Sequence, residues 1–300
     1  MNLITNHPGE FCALLTAIFW TVTALSFESA SIKVGSLAVN LIRLFLGFIF
    51  LSIYSLIIFD RILPTDASLK QWIWLSISGF IGFFLGDLFL FKSYTIIGSR
   101  IAMLIMALVP PITSFFGWII LHESLKWLNL LGMTITFSGI AIAIISKEGK
   151  NSKLFIKFDP VGLIYALGGA VGQSLGLVLS KYGMSGYNAF AATQIRIISG
   201  IAGFVLLISI LKRWKNIFWA FSNIKGMIGI SVGAIFGPFL GVSFSLLSIK
   251  YTKTGIASTI MAIVPVLIIV PAILFLKQKV TWIEILGAII SVIGVMLFFL

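Results

Sequence analysis

Ten apolar stretches, each close to the length that a helix needs to cross a lipid bilayer, follow one another along this chain of 300 residues. A membrane-spanning helix requires about 20 predominantly apolar residues. The predicted spans are 11–30, 37–59, 72–92, 99–121, 127–146, 160–181, 189–211, 224–248, 254–276 and 282–300. The chain is 59% hydrophobic and 10% charged, whereas soluble domains carry about 25% charged residues. The sequence therefore predicts an all-α integral membrane protein with ten transmembrane helices.

The net charge and the small number of reactive residues limit the functions that this chain can have. The formal net charge of +12 would indicate nucleic acid as a partner in a soluble protein. Here most Lys and Arg residues stand singly or in short loops, where they face lipid headgroups. The lone Cys12 allows no internal disulfide, and His7 and His122 both fall near predicted helix ends. Because ATP-binding and hydrolase motifs are also missing from the sequence, we expect no catalytic residue, metal, cofactor or nucleic-acid partner.

The two halves of the chain repeat each other. The segment IAMLIMALVP, residues 101–110, matches IASTIMAIVP, residues 256–265, at an offset of 155 residues. The same offset pairs Gly82 with Gly237, Gly86 with Gly241, Leu121 with Leu276, Trp127 with Trp282, Gly132 with Gly287 and Gly139 with Gly294. Each half has five predicted spans, an odd number, so the second half must be inserted upside down. The sequence thus predicts two inverted five-helix repeats, the architecture of many secondary transporters.

The boundaries of the repeats follow from the longest polar break, KEGKNSKLFIKFD, which separates the fifth and sixth spans. We predict a first five-helix repeat over residues 1–147, a charged linker over 148–159 and a second repeat over 160–300. Residues 1–8 lack the basic region and cleavage site of a signal peptide. The first span is therefore predicted to be a retained helix.

The repeated segments resemble the EamA-type branch of the drug/metabolite transporter superfamily. That family shows an A…P helix, an L-x-E turn and a G…G helix in each half. The matching residues are Pro110, Glu123, Gly132 and Gly139 in the first copy, and Pro265, Gly287 and Gly294 in the second. Gln278 stands where the family often has Glu. The resemblance implies a secondary transporter in the bacterial inner membrane that exports amino acids or related metabolites, with proton coupling and cytoplasmic termini.

Two other function classes stay open. An intramembrane enzyme acting on a lipid or isoprenoid would need a polar catalytic cluster at one membrane face, and the sequence offers none. A structural subunit of a larger complex would need neither an inverted repeat nor an acid inside a span.

Asp87 lies inside the third predicted span, in GFFLGDLFLF. A charge at mid-membrane costs about 2.5 kcal/mol or more on insertion scales, so it should face the protein interior or a water-filled cavity. Helical spacing places aromatic residues on or beside its face, namely Phe80, Phe83, Phe84, Phe91 and Tyr94. Asp87 is a candidate proton or cation site or, alternatively, a structural acid paired with Lys92 or a facing arginine. Its repeat counterpart is Val242, which favours a role for the acid in binding an asymmetric cargo.

Arg43 and Arg196 lie at corresponding places in the second and seventh spans, in NLIRLFLG and TQIRIISG. As functional residues they would recognise an anionic group such as a carboxylate, or pair with Asp87. Alternatively, each side chain would snorkel to the headgroups, because both lie within about two turns of a helix start.

Three further side chains are candidates for lining a cavity between the halves. Gln173 and Gln194 are polar residues inside spans, and Trp20 occupies the matching region of the first span. The alternative is that the glutamines bond between helices and the tryptophan packs. The predicted set of substrate-site or proton-site residues is thus Asp87, Trp20, Arg43, Gln173, Gln194, Arg196 and Tyr94.

Pro110 and Pro265 occupy matched positions in the fourth and ninth spans. Each proline removes a backbone donor and frees the carbonyl four residues earlier, at Met106 and Met261. Matched breaks in the two halves make the prolines hinge candidates, although a proline in a membrane helix can also be tolerated without any motion.

The orientation in the membrane is not decided by the sequence. Ten spans place both termini on one side, and most Lys and Arg residues fall on the opposite side. The positive-inside rule then places the termini outside, against the family resemblance. A lipid bilayer and a small-molecule substrate are the predicted partners, and a homodimer is left open.

Overall fold

Helices joined by short turns make up the part of the chain that the computed structural model describes, residues 6–106, 108–146, 159–267, 271 and 282–297. No strand occurs within those ranges. In chain order the elements are α1 (Pro8–Val34), α2 (Ser36–Phe59), α3 (Leu69–Gly79), π1 (Phe80–Gly86), α4 (Asp87–Met106), α5 (Val109–Leu121), α6 (Trp127–Ser146), α7 (Pro160–Met184), α8 (Ala189–Ile210), α9 (Trp214–Phe221), α10 (Ile224–Ala234), π2 (Ile235–Gly241), α11 (Val242–Tyr251), α12 (Thr254–Met261), α13 (Val264–Leu267) and α14 (Trp282–Met296). This confirms the all-α prediction at the level of fold class.

Six helical stretches in the described part are long and apolar enough to cross a membrane: Pro8–Val34, Ser36–Phe59, Leu69–Ser93, Pro160–Met184, Ala189–Ile210 and Ile224–Tyr251. Three shorter apolar helices cover Val109–Leu121, Trp127–Ile142 and Ile285–Met296. Large apolar side chains point outward, as a lipid environment requires. The matched Trp127 and Trp282 are 78% and 84% exposed. The count of ten spans stays a prediction, because 254–276 and 282–300 lie partly outside the described residues.

Local sequence explains where several helices begin. Pro8 and Pro160 sit in first turns, where a missing N–H costs nothing. The Ser68 hydroxyl accepts from the Gln71 N–H while the Gln71 side chain accepts from the Ser68 N–H, which is a capping box. The Asn188 side chain accepts from two N–H groups at the start of α8. These caps satisfy donors that a helix start leaves without partners.

The element boundaries repeat with the sequence. The two π-helical segments, π1 and π2, start and end 155 residues apart, immediately before Asp87 and Val242. The breaks before α5 and α13 fall at matched positions as well. π-helical segments are rare in proteins, and those that occur are often found at functional sites. The presence of one at the same place in both halves confirms that the halves are structural repeats.

The halves also pack on each other reciprocally. In the contact between α6 and α14, Gly139 lies against Ser291, while the matched Gly294 lies against Thr136. Likewise α1 packs along α10, π2 and α11, whereas α7 packs along α3, π1 and α4. Contacts in which each residue meets the other's counterpart define a twofold relation. The reciprocal packing therefore supports the predicted pseudo-twofold architecture.

The fourth span differs from its prediction. Residues 93–98, which separate the third and fourth predicted spans, are helical. The segment contains no proline and only one glycine, and α3, π1 and α4 follow one another without a break. The chain breaks instead between Met106 and Val109. Pro110 is the second residue of α5, a position that needs no N–H donor. The proline therefore begins a helix rather than bending one.

Candidate functional site

Asp87 is buried where the two halves meet. It is the first residue of α4, directly after π1, and is 4% exposed. One carboxylate oxygen accepts a hydrogen bond from Arg43 Nη2 of α2. The other accepts from Gln173 Nε2 of α7 at 2.9 Å. The carboxylate thus joins the first half to the second, and its structural partner is the facing Arg43.

Arg43 has its donors directed at fixed partners. Its Nε donates to Asn40 Oδ1 at 3.0 Å, one turn earlier on α2. The guanidinium carbon lies 5.4 Å from the ring centre of Phe27 and 5.6 Å from that of Phe91. Aromatic faces attract cations at such distances. At 7% exposed, Arg43 is buried and does not snorkel to the headgroups.

Arg196 is also buried, at 5% exposed, but its surroundings differ. Its guanidinium lies 4.6 Å from the ring centre of Phe83 and interacts electrostatically with Asp87. Its Nε is enclosed and has no hydrogen-bond partner in the described part of the chain. We call Asp87, Arg43, Gln173 and Arg196 the central charged group. Within it, two cations face one acid.

Of the remaining predicted site residues, Trp20 and Gln194 do not take part in these polar contacts. The Trp20 side chain packs on Gly241, and the backbone of Gln173 lies against the matched Gly86, so Trp20 and Gln173 occupy equivalent positions in the two halves. Gln194 donates to Ser52 Oγ at 2.9 Å and to the Ile62 carbonyl at 2.8 Å. These bonds join α8 to α2 and to the loop that follows α2. The side chains of Tyr94 and Pro265 lie outside the described residues.

Sequence reasoning missed a second set of contacts at the end of the molecule where α1 begins. Glu123 Oε1 forms an ion pair with Lys181 Nζ at 2.7 Å, and its Oε2 accepts from the Thr254 N–H and hydroxyl, both at 2.8 Å. Lys181 also donates to the Thr252 carbonyl at 2.6 Å. The Thr252 hydroxyl in turn donates to Glu10 Oε1 at 2.7 Å. We call these five residues the terminal polar cluster.

The terminal polar cluster has a clear physical role. Glu123 belongs to the first half, yet it caps the first N–H of α12 in the second half. A carboxylate at a helix start satisfies a free donor and opposes the positive end of the helix dipole. The available signal was the L-x-E turn, which marks Glu123 but not its partners.

Two repeated helical halves that meet at a buried charged group define a class of multi-pass membrane protein, and sequence comparison identifies its family. The profile of the EamA-like transporter family matches residues 7–145 and residues 160–300. The chain belongs to this family.

Curated relatives carry compatible names. An uncharacterized transporter of Clostridium kluyveri is 27% identical over 179 residues, which is 60% of this chain and 56% of the relative. The uncharacterized transporter YvbV of Bacillus subtilis is 27% identical over 193 residues, 63% of this chain and 59% of the relative. The chain therefore matches little more than half the length of these relatives. A solved structure described only as a protein crystal structure has the same fold, with a TM-score of 0.72 at 16% identity over 97% of this chain and 96% of that one.

Proposed function

We propose that this protein is a secondary transporter of small metabolites such as amino acids, which it exports across the bacterial inner membrane by alternating access. The observation that carries the proposal is the central charged group. Its hydrogen bond between Asp87 and Gln173 joins opposite halves inside a membrane protein of a transporter family. Charged groups inside the membrane are costly and mark substrate or ion pathways.

Alternating access requires a contact between the halves that closes one end and can be released. The terminal polar cluster supplies one, because Glu123 and Glu10 of the first half bind Lys181, Thr252 and Thr254 of the second. Tyr187 adds a contact at this end, since its hydroxyl donates to Asp66 at 2.6 Å. Burial, together with this hydrogen bond, raises the pKa of Tyr187, so the hydroxyl keeps its proton. At the opposite end, Gly226 lies against Val34, an apolar contact.

Asp87 is the proton carrier in this proposal. Protonation would remove the charge that holds Arg43 and would weaken the link to Gln173 across the halves. The loss of that link would let the halves rearrange, so proton binding and the change of access would be coupled. We propose further that the halves are inverted relative to each other, with their pseudo-twofold axis in the membrane plane.

Flux into proteoliposomes that contain only this protein tests the proposal. A panel of amino acids and related metabolites would be loaded with and without a pH gradient, and empty liposomes would serve as the control. Substrate-dependent flux that responds to the gradient is expected. Absence of flux for the entire panel in correctly folded protein would contradict the proposal.

A further inference from the structure

Arg43 and Arg196 occupy equivalent positions in the two halves. The glycine four residues after each arginine packs against the other half, Gly47 against Pro238 and Gly200 against Phe83. Pro238 and Phe83 are themselves counterparts at the repeat offset of 155 residues. The two arginines therefore share one place in the repeat, and any difference between them comes from their neighbours.

The residues that satisfy Arg43 are replaced around Arg196. Asn40, which binds Arg43 Nε, corresponds to Thr193, and the Thr193 hydroxyl donates instead to the Ala189 carbonyl at 2.8 Å. Asp87, which binds Arg43 Nη2, corresponds to Val242, which has no polar atom in its side chain. One half thus supplies its arginine with an amide and a carboxylate, and the other half supplies neither.

A buried guanidinium without these partners is expensive. Arginine carries five N–H donors and stays charged, and leaving a charged donor buried without a partner costs more than a neutral one. Arg196 Nε is enclosed without a partner, whereas its terminal nitrogens, which bind no described residue, are not fully enclosed. The Phe83 ring holds one face of the guanidinium, so its donor-bearing edge remains for a ligand.

We infer that Arg196 is the subsite for a carboxylate group of the transported molecule, an inference that rests on the proposed function. A carboxylate matches the planar fork of a guanidinium in a bidentate pair. It would supply Arg196 with the kind of partner that Asp87 supplies to Arg43. Because Arg196 belongs to the second half and Phe83 to the first, a carboxylate bound there contacts the junction that must move.

Ligand-induced thermal stabilisation of the purified protein tests the inference. The probes are amino acids and simple monocarboxylic acids, each compared with its own primary amide at equal ionic strength. Carboxylates are expected to stabilise the wild type, and their amides are not. Arg196→Gln should weaken the response to carboxylates by about tenfold or more, the loss expected for a hydrogen bond between charged groups. Arg196→Lys should keep part of it, and the exposed Lys225→Gln should keep all of it.

A second variant gives Arg196 a partner from the protein. Val242→Asp places an acid where the repeat places Asp87, so it should raise the melting temperature without ligand and abolish the response to carboxylates. A Val242→Asp protein that folds and still responds like the wild type would overturn the inference. If this variant does not fold, the Arg196→Gln comparison decides, and an unchanged carboxylate response there would overturn the inference.

The outcomes separate this inference from the proposed function. A normal rate of flux for a carboxylate-bearing panel compound in Arg196→Gln would leave transport standing and overturn the carboxylate subsite. Carboxylate stabilisation that depends on Arg196, in a protein without flux, would support the subsite and contradict transport.

Discussion

The central charged group and the terminal polar cluster both join the two halves, but they do so by different means. In the terminal cluster, Glu123 has a cation and two donors of α12 as partners, and Lys181 is 25% exposed. In the central group, Asp87 and Arg196 are at most 5% exposed, and Arg196 has no hydrogen-bond partner among the described residues.

The difference separates a contact between the halves that can be released from one suited to a ligand. The ion pair of the terminal cluster is only partly buried, so breaking it costs less than breaking a fully buried pair, and the terminal cluster can open and close. A buried charge that loses its partner costs several kcal/mol, so the central group changes state only when something replaces that partner. In the proposed mechanism, a proton would replace Arg43 as the partner of the Asp87 carboxylate, and a substrate carboxylate would give Arg196 the partner that it lacks.

The largest effect should come from Asp87→Asn. The change leaves the Arg43 charge buried without its carboxylate, and removing one partner of a buried pair costs about 3–5 kcal/mol. We expect a lower melting temperature together with loss of pH-driven flux, although slow exchange can remain because the amide keeps the shape of the protonated acid. The exposed Asp60→Asn is the control. Normal flux with intact pH dependence would remove Asp87 from the site.

A double variant sharpens that result by separating stability from transport. Replacing both members of a buried ion pair with apolar residues often restores stability. Asp87→Val combined with Arg43→Leu should therefore melt above either single variant, while flux stays lost because no proton site remains. Recovery of pH-driven flux in the double variant would show that the pair has only a structural role.

Breaking the terminal cluster should have a smaller effect. Glu123→Gln loses the ion pair with Lys181 but keeps an acceptor for Thr254, so we expect a stability loss of about 1 kcal/mol. Cys12, which is buried on α1 two residues after Glu10, reports opening of this end. A water-soluble maleimide should label Cys12 faster in Glu123→Gln than in the wild type or in Asp60→Asn. Equal labelling rates would mean that Glu123 does not hold this end closed.

A similarly small effect on stability should come from Pro110→Ala. Because Pro110 is the second residue of α5, no helix hydrogen bond is missing there, and the change removes only part of a buried ring, so we expect a loss of about 1 kcal/mol. If the break before α5 is a hinge, flux should slow because alanine relaxes the backbone restriction that Pro110 imposes on the break, although Pro111 remains. Pro265→Ala is the matched variant in the second half. Parental rates in both would reduce the prolines to ordinary helix starts.

Much of the architecture could be predicted from residue patterns. The apolar lengths predicted helices in a membrane, and the offset of 155 residues predicted equivalent positions for Pro110 and Pro265. Each proline is the second residue of its helix, Val109–Leu121 or Val264–Leu267. The predicted span boundaries were wrong between residues 93 and 98, where two spans were separated and the helix continues. Hydropathy falls there, but nothing in the segment breaks the backbone hydrogen bonds of a helix.

The site was predictable only in part. The cost of charge in a membrane was enough to select Asp87, Arg43 and Arg196 from sequence alone. The pairing of Arg43 with Asp87 could not be predicted in this way. A snorkelling arginine and a buried arginine occupy the same position in the same helix, and they differ only in what faces the side chain.

By itself, the sequence determined the helical membrane class, the repeat and the asymmetry between Asp87 and Val242, since these depend on residue order. Only the tertiary structure decided that Arg43 has Asp87 and Asn40 as partners while Arg196 has none among the described residues, and that Glu123 caps a helix of the other half. The contacts of Arg43 with Asp87 and of Glu123 with Thr254 join residues 44 and 131 positions apart. They depend on how the helices pack, which no local pattern specifies.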